Sequence, residues 1–113
     1  MLSEQARICR RTVISLVPNA ASLPYRIGKA LKEGRGTWEY GLEMPLYTQR
    51  EDFSAVGLES ISEQTIGARH ALGFLEPSDQ LYRPLQRYLN AISEQELCDY
   101  WQGYLLATVG IKP

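Results

Sequence analysis

Ser93-Glu-Gln-Glu-Leu-Cys-Asp-Tyr-Trp-Gln-Gly-Tyr-Leu-Leu-Ala-Thr-Val-Gly110 is the stretch on which the fold turns. Ser93 and Glu96 have the spacing of a capping box, in which each side chain satisfies a backbone N–H of the first turn. Glu94, Glu96 and Asp99 lie in the first two turns, where negative charge complements the helix dipole. Leu97, Tyr100, Trp101, Tyr104, Leu105 and Thr108 recur at steps of one, three and four, and Gly110 follows as a stop. The spacing predicts one helix over this stretch, central to the packing.

Moving toward the N-terminus, the same logic predicts more helices. Leu81, Leu85, Leu89 and Ile92 are helically spaced. Pro84 forbids one unbroken helix from Ser78, so a turn over 78–82 and a helix from Arg83 to Ala91 are expected. Ser60 and Glu63 form another capping box, ahead of Ile61, Thr65, Ala68, Leu72 and Leu75. Ile66, His70 and Phe74 widen that stripe, Gly67 and Gly73 would admit a close neighbour, and Pro77 ends it. Ser22-Leu23-Pro24 opens a helix with Leu23, Ile27, Ala30 and Leu31 on its apolar side and Gly34 as its stop. Gly28 lies within that helix at a cost of up to about 1 kcal/mol. Ser3 caps a first helix running to about Val17, with Leu2, Ala6, Cys9, Val13 and Leu16 on one face and Pro18-Asn19 at its end. Ser-Glu-Gln recurs at 3–5, 62–64 and 93–95 without a fixed period, as three caps rather than a repeat.

Residues 37–44 read differently. Trp38, Tyr40, Leu42 and Met44 alternate with Thr37, Glu39, Gly41 and Glu43, the period of a half-buried strand, and Pro45 ends it. A lone strand leaves its backbone unsatisfied. Its partner is therefore Ala55–Ser60, the same strand of a second copy, or the helices over which it lies as an extended arm. The expected architecture is mainly α: an irregular bundle of four to five helices, with an extended segment or small β-hairpin around residues 37–60.

At 113 residues and 44% apolar content the chain is long enough for one core, and residues 1–113 are read as a single helical domain. A compact monomer of this mass exposes about 6,300 Å². Two cysteines exclude a disulfide framework. No apolar run spans a membrane. Arg10-Arg11 precedes the apolar run Thr12–Val17, which is too short for a secretory signal, so a cytoplasmic location is expected. The net charge of −1 conceals an asymmetry: residues 1–50 carry eight basic and four acidic groups, residues 51–113 four and nine. Such asymmetry marks either an anionic partner for the first half or mutual attraction between the halves.

Little in the chain points to catalysis. His70 is the only histidine and sits on an apolar face, where a hydrogen-bonded structural role is expected. Cys9 and Cys98 lie on or beside apolar stripes and have no neighbouring pair of metal ligands, so no metal or cofactor is expected. Glu51-Asp52 reads as a solvated loop, and Gly34-Arg35-Gly36 lacks the lysine and spacing of a P-loop. Seven Tyr and two Trp are more unusual, because these residues favour interfaces. The favoured expectation is a non-enzymatic protein-binding module, a regulator, adaptor or assembly subunit. It would dock through Trp38, Tyr40, Leu42, Met44 and Tyr47 inside a basic rim, with another protein or a second copy as partner. The alternative is a nucleic-acid-binding regulator that uses Arg7, Arg10, Arg11, Arg26, Lys29, Lys32 and Arg35 on phosphates.

Overall fold

The structure, a computed structural model, describes Leu2, residues 11–100 and residues 102–113. Its centre is an antiparallel sheet of three strands: β1 (Thr12–Pro18), β2 (Glu59–Ile66) and β3 (Leu105–Ile111), in the order β1-β3-β2. Helix α1 (Leu23–Arg35) follows β1, and α2 (Arg50–Ala55) precedes β2. A 3-10 helix (Arg69–Phe74), α3 (Tyr82–Ala91) and α4 (Glu94–Asp99) connect β2 to β3. Of the described residues 41% are helical and 23% strand. The expected mainly α bundle is therefore overturned: this is a mixed fold built on a three-stranded antiparallel sheet. No described helix is long and apolar enough to cross a membrane.

Each correction has a local cause. Thr12 to Pro18, expected to end a first helix, is β1, because Val13, Ile14 and Val17 are β-branched and fit a pleated surface. The expected helix start at Ser3 lies outside the described residues. The helix expected from Ser60 to Leu75 is strand β2 followed by the short 3-10 helix. The Ser93–Gly110 helix is half right. Ser93 does cap α4, its Oγ accepting the Glu96 N–H at 3.2 Å, but the helix ends at Asp99 and Leu105–Ile111 becomes the central strand. Spacings of three and four arise in short runs with apolar residues on both faces, so periodicity alone does not separate a buried strand from a helix. The expected hairpin around 37–60 is absent: residues 37–45 form no strand, and β2 pairs with β3.

Two expected helices do form. In α1, Pro24 sits in the first turn as expected, but the stop is Gly36 rather than Gly34. Gly36 adopts φ 72°, and its N–H reaches back to Glu33 and Lys32 carbonyls, a left-handed cap that a side chain would strain. Helix α3 begins one residue before the expected Arg83.

One face of the sheet is covered, as the alternating burial along β3 shows. On β3, Leu106, Thr108 and Gly110 point into this covered face. Phe53 of α2 lies over Gly110 so closely that a Cβ there would stand 2.4 Å from the ring. Val13, Phe53 and Leu58 make one core cluster. Ala68, Leu89 and Leu97 make a second, under the 3-10 helix and α3. Between them Tyr25 is fully buried, its ring against Phe74 and Tyr104.

Candidate docking site

Residues 36–49 connect α1 to α2 without regular structure apart from one bridge, Asn19 to Leu46. A connection this long in a small domain is uncommon and is most often functional. Its shape is held from inside. The Trp38 ring packs against Tyr25 and Phe74 at centroid distances of 6.3 and 5.9 Å, and Lys29 Nζ stands 5.4 Å from the indole. Lys29 Nζ also donates to the Glu43 carbonyl at 2.8 Å, and the Tyr25 hydroxyl donates to Glu43 Oε2 at 2.6 Å. Burial, then the Glu43 carboxylate, push the Tyr25 phenol well above its ordinary range. Further along, Leu46 N donates to Pro18 O and Ala20 N to Leu46 O.

The far end of the connection is fixed by a buried carboxylate that sequence reading placed in a capping box. Glu63 projects from β2 into the covered face, and its side chain has no exposure. It accepts hydrogen bonds from the Thr108 hydroxyl (2.7 Å), the Gln49 N–H (2.8 Å) and the Thr48 hydroxyl (2.8 Å), with Arg50 Nε at 3.6 Å. Burial pushes this carboxyl up, but the three hydrogen bonds and the Arg50 guanidinium outweigh it and hold it below the usual carboxylate range. Gln49, itself buried, sends its amide to Ser15 O, Leu106 O and Thr108 Oγ1. A carboxylate this enclosed and saturated acts as a tie between loop and sheet.

With its inner side anchored, the connection turns Tyr40, Leu42, Met44 and Tyr47 outward. Leu42 is as exposed as in an isolated chain, and Met44 is 80% exposed. The five residues expected to dock as one face are thus divided: Trp38 is a half-buried anchor, and the other four are exposed. Tyr40 remains in touch with the cluster, 5.2 Å from Trp38.

The basic residues are dispersed. Arg26 donates to the Ala20 carbonyl, Lys29 to the loop as above, and Arg35 pairs with Asp79, whose carboxyl it holds low. Lys32 borders a small cavity of about 160 Å³ with Tyr40, His70 and Phe74. Arg11 is exposed at the start of β1, while Arg7, Arg10 and Cys9 lie outside the described residues. His70 is exposed on the 3-10 helix, not packed on an apolar helix face. Cys98 touches Glu94 Oε1 at 3.7 Å, and burial, together with that carboxylate, raises its thiol. No protein-family model, curated protein or solved structure matches the chain.

Proposed function

We propose that the protein is a non-enzymatic binding module that docks a protein partner on the outward side of the 36–49 connection. The observation that carries this reading is the pairing of exposed Leu42 and Met44 with an inner side pinned to the fold. Such a segment loses little freedom on binding, so apolar burial goes into affinity rather than ordering. Tyr40 and Tyr47 flank the two aliphatic residues and add contact area with polar tips, the composition of interface hot spots. Lys29 and Lys32 lie on the α1 side as the basic rim.

The test uses a tagged full chain to capture partners from the native host after nuclease treatment. Each stoichiometric partner is then purified and titrated against wild-type protein and Leu42→Asp/Met44→Asp. The double variant should bind at least about tenfold more weakly, a loss of about 1.4 kcal/mol, with unchanged far-ultraviolet circular dichroism. A purified partner that binds both proteins equally would refute this reading, as would partners that all disappear with nuclease.

A further inference from the structure

We propose that the cavity between α1, the 3-10 helix and the 36–49 connection is an oxyanion site that takes a phosphate group. Lys32, Tyr40 and His70 line it together with Gly73 and Phe74, around a volume of about 160 Å³. Each of the three polar residues comes from a different segment: Lys32 from α1, His70 from the 3-10 helix and Tyr40 from the connection. Packing holds them together. Gly28 of α1 lies so close to the 3-10 helix that a Cβ there would stand 2.6 Å from Phe74 Cβ. Lys32 is one turn beyond Gly28, and His70 is four residues before Phe74, so this tight crossing brings both side chains to the same cavity. Tyr40 is held there by its ring contacts, 5.2 Å from Trp38 and 6.3 Å from Phe74 between centroids.

The chemistry of the lining selects the ligand. The Lys32 ammonium has only donors, the Tyr40 hydroxyl can donate, and the His70 imidazole donates through at least one nitrogen. Among the described residues, none of these three side chains has a hydrogen-bond or ion-pair partner. None of the five lining residues is acidic. Asp79 is near enough for Lys32 to help hold its carboxyl low, but that carboxylate is paired with Arg35 and accepts the Glu76 N–H. Lys29 spends its ammonium on the Glu43 carbonyl and the Trp38 ring, which leaves Lys32 to supply the charge. A phosphate group carries a charge of about −1.5 to −2 and three acceptor oxygens, one for each donor. A carboxylate offers two oxygens and a single charge. The volume is well below the roughly 300 Å³ at which pockets for whole small molecules begin, so the cavity holds the phosphate and not the remainder of a nucleotide. Tyr40 also belongs to the docking side of the connection, so a phosphorylated side chain of the docked partner is the expected source. Only this last step rests on the docking reading.

Amide proton–nitrogen NMR correlation spectra of the full chain, titrated with inorganic phosphate, phenyl phosphate and acetate at constant ionic strength, test this. Both phosphates should shift the Gly73 and Phe74 amide signals saturably, with a Kd of about 1 mM or below. Acetate should bind at least about tenfold more weakly. Lys32→Ala, His70→Ala and Tyr40→Phe should each weaken phosphate binding about tenfold or more, the loss expected for a hydrogen bond to a charged group. Lys32→Arg keeps the charge and should stay within about threefold of wild type. Lys32 is half-buried and the other two residues are exposed, so circular dichroism should be unchanged. The proposal is overturned by the absence of saturable shifts with either phosphate up to about 20 mM, by acetate binding equally well, or by indifference to Lys32→Ala or His70→Ala. Tighter binding of phenyl phosphate than of inorganic phosphate would support an ester carried on a side chain. The reverse order would support the site as one for free phosphate and overturn its link to the docked partner. Leu42→Asp/Met44→Asp should bind both phosphates like wild type, so a failure of the docking reading leaves this one standing.

Discussion

Replacing Glu63 by Gln keeps the shape of the side chain and removes its charge, so it measures what the buried carboxylate contributes. In the native protein Oε2 accepts from Gln49 N and Thr108 Oγ1, and Oε1 accepts from Thr48 Oγ1 beside Arg50. An amide oriented with its oxygen toward Gln49 and Thr108 keeps both bonds without charge assistance. Its NH2 then faces Thr48 and the Arg50 guanidinium, where it cannot accept. A hydrogen bond to a charged group contributes about 1.5–3 kcal/mol and a neutral one about 1. Weakening two by about 0.5–2 kcal/mol each and losing one of about 1.5–3 therefore costs at least about 2.5 kcal/mol, a large share of a typical stability of about 5–15. With a urea slope of about 1–3 kcal/mol per molar, the midpoint at pH 7 should fall by at least about 0.8 M. The sign of the pH dependence follows from the lowered carboxyl. The stabilisation is complete above the unfolded glutamate value of about 4.3. It disappears as pH falls through the folded value, where the native carboxylate takes up a proton. Urea titrations at pH 7 and down to about pH 3 should show the two proteins converging as acidity increases. A loss below about 0.5 kcal/mol at pH 7, or a gap independent of pH, would refute the role assigned to Glu63.

Two further substitutions probe the packing. Gly110→Ala places a Cβ 2.4 Å from Phe53 Cδ2, so either α2 shifts or the ring turns. Overpacking of this kind costs about 1–3 kcal/mol, and a thermal melt unchanged from wild type would mean that α2 does not sit on β3 as described. Ser93→Ala removes the hydroxyl that accepts the Glu96 N–H and should cost about 1 kcal/mol in urea denaturation, whereas a neutral result would show the α4 cap to be dispensable.

The candidate site was partly legible from local pattern and partly hidden. Trp38, Tyr40, Leu42, Met44 and Tyr47 stood out as aromatic and apolar residues beside Pro45, and four of them are exposed. Their alternation suggested a strand, but residues 37–45 pair with no strand, and the one bridge of the connection is Asn19 to Leu46. Glu63 had no distinguishing sequence signal. A Ser-x-x-Glu spacing is equally a capping box and two residues of a strand, and the neighbours that make it a buried tie come from positions 48–50 and 108.

By itself the sequence determined those features whose partners lie within a few residues. These are the proline start of α1, the capping serine of α4 and the α3 stripe of Leu85 and Leu89. Their hydrogen bonds close within one turn, so local chemistry suffices. Only the tertiary structure decided that Thr12–Pro18, Glu59–Ile66 and Leu105–Ile111 are strands. Each backbone bond of that sheet joins residues far apart in the chain, and β1 and β3 are both apolar on two faces. Such segments satisfy helix and strand templates alike until a neighbouring edge is present, and here β3, last in the chain, supplies that edge to the two strands before it.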